Sequence, residues 1–280
     1  MGNEFRSTRP LYFSIPIVVL IVATGVYGIF FKAAYAQETL SWAVQGVGQD
    51  LANLIFAVPS LLVSAALVSK GSRVGLFVWL GTTLYILYTF ALYCFALHFN
   101  PFFLVYCAVL GLTFYSIISL VLSIDRLVIK NWFDENRSNN FASYFLLAIS
   151  AFFFLLWIKD IIPAMFSGKP PQSLRENGLM TNPVHVLDLS FFLPGSFIAA
   201  ILLKKKNSLG YLFAPALIIF CTMMTFSIAL LVVVMKVNAV ASDVSVAVVL
   251  SAVAMIGFLA FVSLMKGIKK KNHDDGSSNL

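Results

Sequence analysis

Charge is scarce in this chain. Of its 280 residues 11% are Asp, Glu, Lys or Arg, against 60% hydrophobic residues and a mean hydropathy of +0.91. A soluble domain cannot cover its surface with so little charge, so the composition implies a polytopic membrane protein. Cysteine is almost as sparse. Cys94, Cys107 and Cys221 all lie in apolar runs without CxxC or Cys/His spacing, which excludes a zinc knuckle or redox pair as a signalled feature and makes buried thiols the expectation. Walker A, GxSxG and HExxH motifs are missing, so nucleotide hydrolysis, serine hydrolysis and zincin chemistry have no positive support. No charge stands in the middle of an apolar run, which removes the usual mark of a proton relay or a retinal-binding lysine. The net charge of +7 does not describe a nucleic-acid surface, because the basic residues sit between apolar runs.

What is present is a series of apolar runs long enough to cross about 30 Å of hydrocarbon as helices. They cover residues 11–31, 47–69, 74–98, 101–123, 141–166, 182–204, 209–235 and 244–265, giving an all-α integral membrane protein with eight transmembrane helices. Ala34, Tyr35 and Ala36 resemble a signal-peptidase site, but the preceding run of 21 residues exceeds a usual signal core and Lys32 interrupts it, so the first span is expected to be retained. Residues 124–140 carry Asp125, Arg126, Lys130, Asp134, Glu135 and Arg137 and read as a solvated or amphipathic linker. Residues 272–280 read as a disordered tail. Only Lys32, Lys159, Lys169, Arg175 and Lys236 fall on one side of the alternating topology, leaving fourteen of the nineteen Lys and Arg on the other. The positive-inside rule then puts both termini in the cytoplasm.

The chain contains a diluted copy of one of its own segments. Aligning Pro59 with Pro194 places Asp50 on His185, Asn53 on Asp188, Lys70 on Lys205 and Gly75 on Gly210 without a gap. Residues 1–123 and 141–271 are therefore expected to be two parallel four-helix repeats related by a pseudo-twofold axis along the membrane normal. The second and sixth spans would then occupy equivalent places, and their facing each other across the axis is one arrangement.

These two spans carry the candidate binding residues. Asp50 and Asn53 are three apart, as are His185 and Asp188, so each pair shares a helix face. Asp50 and His185 also read as helix-end residues that complement free amides. Asp188 lies about 9 Å into a span that Asn182 already caps, so capping does not explain it, and an ionisable group there needs a partner. Pro59 and Pro194 free the carbonyls of Ile55 and Ser190 just below these pairs, which either makes a polar-ligand site or kinks the helices. His98, Asn100 and Tyr88 form a second tier on the same side or in the hydroxyl-rich third span, where Tyr85, Tyr93, Thr82 and Thr89 are expected to bond between helices. Lys159 is expected to snorkel to the interface.

The segments QDLANLIFAVP, HFNPFFLVY, NPVHVLDLSFFLPG and SLGYLFAPAL resemble those of an uncharacterised family of bacterial polytopic membrane proteins to which no activity is assigned. The resemblance spans residues 48–235 and implies a bacterial cytoplasmic (inner) membrane, with the lipid bilayer as partner. Three functions stay open. One is binding or transport of a small polar solute or ion through an outward-side site made by Asp188, His185, Asp50 and Asn53. Another is a structural or partner-binding protein in which these residues hold the repeats together. The last is an intramembrane enzyme using His185 and Asp188, with His98 as a possible third metal ligand. No motif identifies a cofactor.

Overall fold

The computed structural model describes residues 12–269, except for the side chain of Lys32. The expected start of the first span at Leu11, the charges at Arg6, Arg9, Lys270 and Lys271, and the tail lie outside these residues. Among the described residues ten α-helices follow one another, the first two joined through a 3-10 turn at Lys32–Tyr35. They are α1 (Ser14–Phe30), α2 (Leu40–Ser69), α3 (Arg73–Ala96), α4 (Phe103–Ser123), the short α5 (Arg126–Trp132), α6 (Asn140–Ser167), the short α7 (Gln172–Asn177), α8 (Pro183–Lys204), α9 (Ser208–Val237) and α10 (Val244–Met265). The one β contact among the described residues is an isolated bridge between Phe133 and Ile268. Among the described residues seven helices are long and apolar enough to cross a bilayer. The apolar α1, at 17 described residues, is shorter.

The helix starts follow from short polar side chains that accept the free amides of the first turn. Thr39, Ser72, Asp125, Asn182, Asn207 and Asp243 each accept a backbone N–H two or three residues on. The bonds from Ser245 hold the exposed Asp243 carboxyl below its usual range. At the end of α6, Gly168 supplies the left-handed conformation (φ 63°) that closes the helix, after the helix has run through Pro163.

The cap at Thr39 changes the reading of α2. The helix begins at Leu40 rather than near residue 47, so Asp50 lies not in the first turn but about 15 Å along it. A plain proline kink is also not what forms. Each proline is preceded by a π turn, Asn53–Ala57 in α2 and Asp188–Phe192 in α8, in which the Val58 N–H donates to the Asn53 carbonyl and the Leu193 N–H to that of Asp188. The π turns, the α segments after them (Val58–Ser69 and Leu193–Lys204) and the next helices (from Arg73 and Ser208) start at one constant interval in the sequence.

The centre of the molecule is α3 packed on α9. Of the most apolar 18-residue stretch of each long helix, 78% is buried in α3 and 22–44% in the other six. Gly81 lets these two backbones close, since a Cβ there would lie 2.5 Å from the Ala216 carbonyl oxygen. Around this pair α2 packs on α9 and α8 reaches α3. The second and sixth spans pack on this pair rather than closely on each other, and residues of both border one cavity.

One end of the bundle carries Lys70, Arg73, Arg126, Lys130, Arg137, Lys204, Lys205, Lys206, Lys266 and Lys269. There the 124–140 segment is docked rather than free. Phe133 stacks on Tyr211 with centroids 4.6 Å apart, and Arg73 lies 5.3 Å over the Trp132 ring. Arg137 donates to the Lys266 carbonyl at 2.6 Å, and Lys206 to that of Glu135. In this segment Ile129 and Trp132 are buried, while the apolar Leu127 is exposed. At the far end Lys159 is exposed. Of the cysteines Cys221 is buried and Cys94 half-buried, whereas Cys107 is exposed on α4, contrary to the expectation of buried thiols.

Candidate functional site

The predicted site residues separate into two places. Asp50 is buried (1% exposed) in a closed node among α1, α2 and α3. Its Oδ2 accepts from the Tyr35 hydroxyl at 2.6 Å and its Oδ1 from the Tyr93 hydroxyl at 2.8 Å. Glycine makes the room. A Cβ on Gly28 would overlap Asp50 Oδ2, and one on Gly46 would come within 2.7 Å of the Tyr35 ring. In the peptidase-like 34–36 segment Ala34 and Tyr35 are buried, and Tyr35 is part of this node. Asn53 is equally buried. It accepts from Gln49 Nε2 at 3.2 Å, and the same amide donates to Tyr85 Oη at 2.6 Å, which in turn bonds Ser227 at 2.5 Å. The tyrosines of the third span therefore do bond between helices, as their hydroxyl content suggested.

Asp188 has a different setting. It borders a partly open cavity of about 280 Å³ walled by α2, α3, α6, α8 and α9. The wall is largely aromatic and aliphatic, with Trp42, Tyr88, Tyr93, Phe153, Trp157, Phe192 and Phe220 contributing rings. Gln45, Gln49, Asn177, Asn182, Ser196 and Thr225 supply the polar groups. Asp188 Oδ2 accepts from Trp157 Nε1 at 2.8 Å, and Tyr88 lies alongside. No Lys, Arg or His lines the cavity among the described residues, so Asp188 is its sole carboxylate and its neighbours are neutral donors.

His185 is buried and packs its ring on Trp157, with centroids 4.6 Å apart, rather than lining the cavity or bonding Asp188. His98 is tied to Glu38, whose carboxylate accepts its backbone N–H at 2.6 Å and approaches Nδ1 at 3.0 Å. Asn100 caps the 100–103 turn, accepting from Phe102 N at 2.9 Å. The structure thus brings Tyr88 to Asp188 and leaves His185, His98 and Asn100 in supporting roles. Asp50 stands one side chain behind the cavity wall, since Tyr93 both bonds it and lines the space. Among the described residues no three His, Cys, Asp or Glu gather as metal ligands, so His185, Asp188 and His98 do not assemble.

Sequence reasoning missed Gln45, Gln49, Trp42 and Trp157 as wall residues. The four-residue spacing of Gln45 and Gln49 on an otherwise apolar helix was the available signal, masked by the expected later start of that helix.

Fold and site together define a helical protein with membrane-compatible helices and a partly open cavity of solute size between them. No protein family, curated protein or solved structure matches the chain.

Proposed function

We propose that this protein binds, and by extension transports, a small solute in the cavity beside Asp188. The observation that carries this reading is a carboxylate, held by neutral donors only, bordering a space large enough for a small molecule. Eight spans fit it, with α1 as the first, arranged as two four-helix repeats about a pseudo-twofold axis. The constant interval between the π turns and the helices after them supports that symmetry. On the same reading the basic end is cytoplasmic and holds both termini, and the far end, where Asn177 and Asn182 border the cavity, opens outward. A bacterial inner membrane is the location that the family resemblance implies and that this reading adopts. Asp50 supports a narrower structural role, because its hydrogen bonds are closed within the fold.

Solvent access tests the reading. With the native cysteines replaced, Leu193→Cys in the cavity wall is expected to react with a water-soluble methanethiosulfonate reagent added outside. Met180→Cys, on the surface (98% exposed), serves as the reactive control. Labelling of Met180→Cys alone would mean a dry cavity and would end the solute-binding reading.

A further inference from the structure

We infer that the ligand is a lipophilic organic monocation whose ammonium group sits against Asp188. The inference rests on the solute-binding reading and narrows it to one chemical class.

The charge of the wall points first. A carboxylate within a membrane helix needs a compensating partner. Here the protein offers the Trp157 N–H at 2.8 Å and the adjacent Tyr88, both neutral, and no cationic side chain lines the cavity among the described residues. An anion would meet no positive charge. A divalent metal ion is ordinarily held by several His, Cys, Asp or Glu ligands, and among the described residues no three of these gather. An ammonium needs only one carboxylate and aromatic faces. Trp42, Trp157, Tyr88 and Phe220 stand in the wall to provide them.

The matched half of the molecule shows what the second half lacks. At the position equivalent to Asp188 stands Asn53, and four residues before it Gln49 folds over to donate to it at 3.2 Å. The equivalent of Gln49 is Val184, which lines the cavity but has no polar atom to offer Asp188. One locus is satisfied from within; the other keeps a carboxylate and gains a space.

The body of the ligand is apolar for a second reason. Behind Tyr88 and Phe192, whose rings meet edge to face at 5.0 Å, lies an apolar groove bounded by Leu84, Phe114, Leu187 and Phe213. The same two rings separate this groove from the cavity, so on that side the ligand's body meets aromatic carbon with further apolar side chains behind it.

Calorimetric binding to the full chain in lipid nanodiscs at pH 7 decides the matter, with three probes sharing one body: 2-phenylethylammonium, 2-phenylethanol and 3-phenylpropanoate. The ammonium is expected to bind about tenfold or more tightly than the alcohol, and the propanoate more weakly than either. Asp188→Asn should reduce ammonium affinity about tenfold and leave the alcohol unchanged. Val184→Gln, which supplies the partner Gln49 gives Asn53, should weaken ammonium binding in the same direction. If Asp188→Asn does not fold, the order of the probes on the native chain still decides. Alcohol or propanoate binding as tightly as the ammonium overturns the cation assignment and leaves solute binding in place. Failure of all three probes also overturns it, and the labelling of Leu193→Cys then shows whether the wider reading survives.

Discussion

Gly28→Ala is expected to be among the most damaging single-methyl changes in this protein, lowering both its amount in the membrane and its thermal stability in detergent. The added Cβ falls on Asp50 Oδ2, in a node with no space to yield. Either α1 moves off α2, or the carboxylate turns away and leaves the Tyr35 and Tyr93 hydroxyls without their acceptor. An unsatisfied buried hydroxyl costs about 1–3 kcal/mol, and overpacking adds about 1–3 kcal/mol more. Asp50→Ala removes the acceptor without the clash and should cost less than Gly28→Ala. The two changes together should be no worse than Gly28→Ala alone, because the clash disappears with the carboxylate. A double variant destabilised by the full sum of the singles would show that Gly28 and Asp50 act independently and that the node does not depend on their contact.

The second large effect is expected at Gly210, in the first turn of α9. A Cβ there would overlap the backbone of Leu202 and Leu203 in α8, with the Leu203 Cα at 2.6 Å. Backbone cannot rotate away as a side chain does, so Gly210→Ala must separate α8 from α9 at their shared turn. The cost should be at or beyond the upper end of the roughly 1–3 kcal/mol typical of overpacking. Gly75 holds the matching place between α2 and α3, but there the nearest atom is the Leu67 Cβ at 2.8 Å, and backbone is no closer than 3.2 Å. Gly75→Ala should therefore be milder. Thermal unfolding of the two purified variants checks the order, and equal stability of Gly210→Ala and the native protein would contradict the close approach of these helices.

Both glycines of that comparison were legible as a pair, each sixteen residues beyond a proline, before any coordinates. So were the helix starts at Asn182 and Val244, since polar caps and the length of apolar runs are local properties that the sequence states directly. Asp188 was legible too, as a charge too deep for a cap. The start of α2 was not, because the stretch before residue 47 mixes Trp42, Gln45 and Gln49 with small residues. Only packing against α9 and α1 shows that it is helix. The π turns were hidden for a similar reason. A proline announces a disturbed helix, but whether the chain bends or widens depends on what lies across from it.

The sequence by itself determined the membrane-compatible helices, their approximate ends apart from the start of α2, the concentration of basic charge at one end and the matched segments around Pro59 and Pro194. These depend on residue type and spacing. The tertiary structure decided which polar residues serve which purpose, because contact between helices far apart in the chain leaves no trace in local pattern. It closed Asp50 with two tyrosines, turned His185 against Trp157, and left Asp188 facing a space that Val184 is too short and apolar to fill.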